Sequence, residues 1–165
     1  MSQLDKTLLF EQLETYQIQR HDFLNNFQVI RGYLQLNMPD RALAYIDEAI
    51  AGLLPQQEIY KVGQKSLLAI LMGLYIGVRL KGVEMMVSFP PEMKKEEFWL
   101  ERWQEEYALQ FYGYTKECIS LIPEDRNPED LFAEIHLTAL TDGFACEFLL
   151  LDQRQPYLER KFSTK

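Results

Sequence analysis

Residues 4–36 read LDKTLLFEQLETYQIQRHDFLNNFQVIRGYLQL, a stretch with no proline and a single glycine, Gly32. Within it Leu9, Leu13, Tyr16, Phe23, Phe27, Ile30 and Leu34 recur at alternating steps of four and three, and Arg20 fills the one polar slot in the series. That heptad spacing predicts a helix of roughly 30 residues, about 45 Å long at 1.5 Å per residue. A chain of 165 residues rarely uses so long a helix inside one globule. Asn37-Met38-Pro39-Asp40 ends the helix and starts another, because proline fits the first turn of a helix and not its middle. The second helix, from Pro39, presents Ala42, Ile46, Ala49 and Leu53 on one face and is expected to stop or kink at Pro55. Such a hairpin leaves one side of its apolar stripe open, and pairing two hairpins into a four-helix bundle covers it. A homodimer is the expected solution; the alternative is that the C-terminal half of the same chain covers the stripe.

Beyond the hairpin the pattern changes. Gln56 to Lys65 reads as a connection, and Ser66 precedes an apolar helix, Leu67 to Leu80, closed by Gly82 just past its end. Val83 to Phe89 reads as a short strand stopped by Pro90 and Pro91. Glu96 to about Leu121 reads as one amphipathic helix whose Trp99, Trp103, Tyr107 and Phe111 belong in a core. Two strands follow Pro123 to Pro128. With Asp142-Gly143 as a two-residue type I′ turn, Ile135, Leu137 and Ala139 would face Leu150, Phe148 and Cys146 on one buried side. A further strand is expected near Tyr157 to Phe162. The fold class is therefore α+β: a helical hairpin over residues 1–62, forming a dimeric four-helix bundle, then a small α/β sandwich over residues 63–165.

Composition narrows the function. Hydrophobic residues make up 47% and aromatics 13%, which supports a folded core. A net charge of -8 with no Lys/Arg patch argues against nucleic acid. The longest apolar run, Leu67 to Val78, is too short to span a bilayer, and Met1 to Glu11 lacks a basic segment followed by an apolar one, so a cytoplasmic location without membrane insertion is expected. Cys118 and Cys146 stand far apart and read as buried thiols, suggesting neither a disulfide framework nor a metal site.

The chemistry sits at Arg20-His21-Asp22-Phe23-Leu24-Asn25-Asn26-Phe27-Gln28. On a helix His21 turns roughly 150° from the apolar seam, and Asn25, Gln28 and Gly32 share its outer face. An exposed imidazole offers an unprotonated nitrogen, a competent nucleophile toward an acyl phosphate. Asp22 is positioned in sequence to accept the other ring N–H, Asn25 to bond a phosphoryl group or an incoming carboxylate, and Arg20 to neutralise phosphate charge. By contrast His136, on the presumed strand opposite the buried face and across from Leu149, reads as a partly exposed structural histidine. The acid pairs Glu96-Glu97, Glu105-Glu106 and Glu124-Asp125 read as solvated faces or loops.

The run RHDFLNNFQVIRGYLQLNMPDRALAYI, Arg20 to Ile46, resembles the helical-hairpin phosphoacceptor domain of the sporulation initiation phosphotransferase B family, a domain related to that of citrate- and dicarboxylate-type sensor histidine kinases. The resemblance rests on His-Asp-x-x-Asn, the following Gln28, Ile30 and Gly32, the Leu34-x-Leu36 ending and the length of the turn. It extends more loosely through Leu67 to Phe89, the part leading into the family's ATPase-like domain. It implies that His21 is the phosphorylated residue, with Asp22 and Asn25 as the adjacent acid and the polar residue one turn later. Asn26 departs from the pattern, since many kinase-branch relatives carry a histidine there. A kinase would also need an Asn-bearing helix, an Asp-x-Gly-x-Gly element and a glycine-rich lid. The 96–121 segment has no Asn, the one Asp-Gly is Asp142-Gly143, and no Gly-x-Gly occurs. The C-terminal region thus resembles a degenerate histidine-kinase ATPase domain, with no ATP and no cofactor of its own expected. The implied activity is phosphoryl transfer between aspartates of response-regulator receiver domains through a phosphohistidine, with Mg²⁺ supplied by the receiver, in sporulation initiation. Two other readings are a cytoplasmic sensor kinase, or a fragment of one, with divergent ATP boxes, and a non-catalytic dimeric regulator that binds receivers.

Overall fold

The long helix that heptad spacing demands is present. In a computed structural model, which describes residues 2–165, helix α1 spans Gln3–Gln35. Ser2 and Asp5 open it with reciprocal bonds: the Ser2 hydroxyl accepts from the Asp5 N–H at 3.0 Å, and the Asp5 carboxylate accepts from the Ser2 N–H at 2.9 Å. Asn37, at φ 57°, closes α1, with the Asn37 and Met38 amides donating to the Leu34 and Tyr33 carbonyls at 3.1 and 2.8 Å. Helix α2 then runs over Pro39–Ile59. It does not stop at Pro55. The helix passes through the proline, whose ring removes one N–H from the hydrogen-bond ladder. The connection expected from Gln56 onward accordingly shrinks to the few residues before the third helix.

The chain divides into two compact units, Met1–Gln57 and Glu58–Lys165. In the first, Leu8, Thr15 and Ala42 are buried. The seam residues Leu9, Leu13, Tyr16, Phe23, Phe27 and Leu34 are 44% to 68% exposed.

In the second unit, helix α3 (Lys65–Leu80) begins with the Gln64 side chain accepting from the Ser66 N–H at 2.7 Å. Gly82, at φ 79°, ends it: the Gly82 amide donates to Arg79 and the Val83 amide to Val78. Strands β1 (Glu84–Ser88), β2 (Leu131–Ala139), β3 (Phe144–Asp152) and β4 (Gln155–Ser163) form one sheet in that order. The β1–β2 pair is parallel and the others antiparallel. Met85, Val87, Leu131, Ala133, Ile135, Leu137, Phe144, Cys146, Phe148 and Leu150 are buried, alternating with less buried residues of the opposite face.

Two sequence expectations fail here. The helix over 96–121 is split into α4 (Glu96–Leu100) and α5 (Glu105–Ser120). The break lets both tryptophans meet Phe144, Trp99 edge-on at 5.6 Å and Trp103 stacked at 6.0 Å, while the Trp99 indole donates to the Met93 carbonyl at 2.9 Å. The β2–β3 register is also displaced by two residues: Ile135 opposes Phe148, Leu137 opposes Cys146, and Ala139, itself exposed, opposes Phe144. A four-residue loop closed by Leu140 N–H donating to the Gly143 carbonyl replaces the two-residue turn. A shift of two keeps every side chain on its expected face. The tight turn lies instead at Gln153-Arg154, φ 48° and 68°, which joins β3 to β4.

Candidate functional site

The His21 side chain is 74% exposed on α1, and that of Asp22 is 67% exposed. The side-chain nitrogen of Asn25, one turn on, lies 3.3 Å from His21 Nδ1. Asp22 Oδ1 is farther, at 3.8 Å, outside hydrogen-bond distance. Asn25 is therefore the residue that engages the ring, and Asp22 contributes negative charge beside it. Because an amide nitrogen only donates, Nδ1 accepts in this arrangement and the proton of the neutral ring sits on Nε2, which points to solvent.

The other residues expected at the site lie where the helix puts them. Gln28 is exposed on the outer face, and an alanine Cβ at Gly32 would meet nothing within 4 Å. Arg20 falls on the seam side, where it lines a shallow apolar groove of about 310 Å³ with Tyr16, Gln19, Phe23, Leu24 and Phe27.

Residues that the motif does not single out fix the hairpin around His21. The Gln19 amide donates to the Gln56 carbonyl oxygen at 3.0 Å, and the Tyr45 hydroxyl donates to Asn26 Oδ1 at 2.8 Å, both pairs part-buried between α1 and α2. The available signal was that Gln19 and Asn26 stand one heptad apart, beside Thr15 rather than in the apolar seam.

A separate polar row crosses the open face of the sheet. Ser88 Oγ lies 2.6 Å from His136 Nδ1, and His136 Nε2 lies 2.9 Å from Glu134 Oε2. Because a carboxylate only accepts, it holds the ring proton on Nε2 and leaves Nδ1 to accept from the serine hydroxyl. Across β3 the residue facing His136 is Glu147, not Leu149. His136 is thus satisfied on both nitrogens by its own sheet. Among the described residues no group of three or more His, Cys, Asp or Glu side chains is arranged to hold a metal ion.

Residues 3–62 match the family described as the sensor kinase SpoOB-type alpha-helical domain. The N-terminal hairpin is thus similar to a SpoOB-type helical domain, over little more than a third of the chain. No curated protein matches the chain. The match covers α1, the turn and all of α2, so it contains His21, Asp22 and Asn25 on the helix where the resemblance put them. This similarity suggests two-component signalling and partners of that class. Among the described residues no helix is long and apolar enough to cross a membrane.

Proposed function

We propose that this chain is a phosphorelay histidine phosphotransferase that carries a phosphoryl group on His21 between receiver-domain aspartates, working as a cytoplasmic homodimer in sporulation initiation. The observation that carries the reading is the exposed His21 ring, held at Nδ1 by Asn25 on the side of a SpoOB-type helix turned away from its apolar seam. In the forward step the Nε2 lone pair attacks phosphorus, the bond to the aspartyl oxygen breaks, and the carboxylate leaves with the receiver. A phosphoramidate remains on His21. The reverse step, onto a second receiver, restores the imidazole. For Nε2 to hold that lone pair the ring proton must sit on Nδ1, so the Asn25 carboxamide turns its oxygen toward the ring and accepts from Nδ1–H, an exchange of two nearly isosteric groups.

Such a transfer needs positioning and charge neutralisation more than acid–base groups from the carrier. Arg20 supplies positive charge next to the phosphoryl group, and the receiver brings Mg²⁺ and its acidic pocket. Gln28 and Gly32 continue the docking stripe, with Gly32 offering no bulk to a neighbouring backbone. Dimerisation covers the seam from Leu9 to Leu34, whose six large apolar residues are too exposed to be left in water. The C-terminal unit serves as a docking or bracing module without nucleotide.

Incubation with a ³²P-labelled phospho-receiver tests the reading. Acid-labile label moves to the wild type and to His136→Ala and is absent from His21→Ala, and ATP alone gives none. Label that persists in His21→Ala, or an ATP-dependent phosphohistidine, overturns it.

A further inference from the structure

We propose that the two polar bridges inside the hairpin, Gln19–Gln56 and Asn26–Tyr45, are positioning devices that fix the azimuth of α1 and so decide that His21 points outward. The functional half of this inference rests on the phosphotransfer reading above. Gln19 and Asn26 bracket His21 along α1, two residues before it and five after. At 100° per residue both lie roughly 140–160° around the helix from His21, so bonding them to α2 directs the imidazole away from α2.

Hydrophobicity alone does not make that choice. The side facing α2 carries Leu8 and Ile30, and the seam beside it carries Leu13, Tyr16, Phe23 and Phe27. Together they form an apolar arc roughly 160° wide, with Leu24, 52% exposed, at its edge. A helix with so wide an arc can be rolled by about one residue position, near 100°, and still bury apolar surface against its neighbour. Such a roll would bring Asn25 or His21 toward α2 or the seam.

Polar pairs are selective where apolar ones are permissive, because rolling the helix leaves four part-buried polar groups unpaired. The Asn26 bond is directional: Tyr45 donates and Oδ1 accepts, which also fixes which way the carboxamide is turned. Two bridges one heptad apart on the same face oppose both rolling and sliding, as a single buried Asn does for register in a coiled coil.

The experiment uses the full chain with nitroxide labels at Gln17→Cys on α1 and Asp47→Cys on α2, both exposed positions, diluted into unlabelled chain so that only intrachain distances are read. The native background should give one narrow distance peak. Asn26→Leu with Gln56→Leu should keep or raise the melting temperature and yet broaden the distribution or add a peak displaced by about 5–10 Å. Asn26→Asp with Gln56→Glu retains both acceptor oxygens and should restore the single peak. Tyr45→Phe, a smaller change, should broaden it less than the double leucine variant. With the receiver that phosphorylates the wild type, transfer to the leucine variant falls at least tenfold, while labelling by phosphoramidate, which needs no docking, changes less than twofold. A leucine variant that keeps the narrow native peak overturns the proposal, whatever its melting temperature. If the wild type takes no label from any receiver or from phosphoramidate, the phosphotransfer reading fails, and the distance result still judges the bridges.

Discussion

An alanine at Gly143 would drive its Cβ into Thr164 Oγ1. The threonine cannot easily retreat. Its hydroxyl accepts from the Phe144 N–H at 3.0 Å and donates to the Phe144 carbonyl at 3.2 Å, tying the chain after β4 to the start of β3. Gly143→Ala should therefore destabilise by about 1–3 kcal/mol, the usual cost of overpacking a closed site. Thr164→Ala in the same chain should return part of that loss by removing the hydroxyl contact, leaving the tighter-than-usual approach of the residue 164 Cβ at 2.9 Å. Chemical denaturation of the two single variants and the double variant reads the coupling, and strictly additive losses would contradict the contact.

The same pair of residues explains what the sequence left hidden in the sheet. Asp-Gly before a run of apolar residues signals a tight turn, yet Gly143 is needed for a close approach from a residue twenty-one positions later. No local pattern records that approach, so Asp-Gly points to a pairing two residues out of register, while the faces of Ile135, Leu137, Phe148 and Cys146 are legible from alternation. The break between α4 and α5 was invisible for a related reason. Trp99 and Trp103 keep helical spacing, which carries no sign of the break between them or of their shared contact with Phe144. On α1 nearly everything was readable, because a helix maps sequence offset directly onto direction: His21 outward, Leu13 and Phe27 on the seam. What offset does not give is side-chain reach, so Asn25 rather than Asp22 at the ring, and Tyr45 on Asn26, are features of the folded structure alone.

Both thiols should be inert in the folded protein. Cys118 and Cys146 are buried, and burial pushes the Cys118 thiol up to about 12 and that of Cys146 upward as well. Because the thiolate is the reactive form, only on the order of one Cys118 molecule in ten thousand would be ionised at pH 8 even if reagent could reach it. Titration with a disulfide reagent at that pH should find no fast-reacting thiol in the native chain and two in denaturant. One rapid equivalent under native conditions would show that the α5–β3 packing around Tyr114 opens readily.

Gly32 separates helix stability from docking. In the chain itself its missing side chain faces open space, so Gly32→Ala removes a flexible residue from the interior of α1 without a clash. Helix propensity alone predicts a gain of about 1 kcal/mol, or roughly 2–4 °C in midpoint for a chain of this size. If a receiver packs its backbone against this position, transfer should slow while the protein becomes more stable. Larger residues, as in Gly32→Leu, should deepen the loss. A stabilised variant with unchanged transfer rate would move the docking footprint off Gly32.

The seam makes the quaternary prediction. Phe27 is 68% and Leu13 53% exposed, two heptads apart on the face that carries neither His21 nor the bridges to α2. Charge placed there touches nothing that holds the hairpin itself together, so its effect should fall on assembly. Leu13→Glu with Phe27→Glu is expected to convert a dimer of about twice 19.5 kDa into monomer in sedimentation equilibrium. If the proposed dimer buries each seam on the other hairpin, helicity should depend on concentration in the wild type and lose that dependence in the variant. Phosphoramidate labelling of His21 should survive in the monomer, since the ring's exposure belongs to α1, whereas receiver transfer should fall if two hairpins together shape the docking stripe. A variant that remains dimeric would place the subunit contact elsewhere and leave the apolar seam without an occupant.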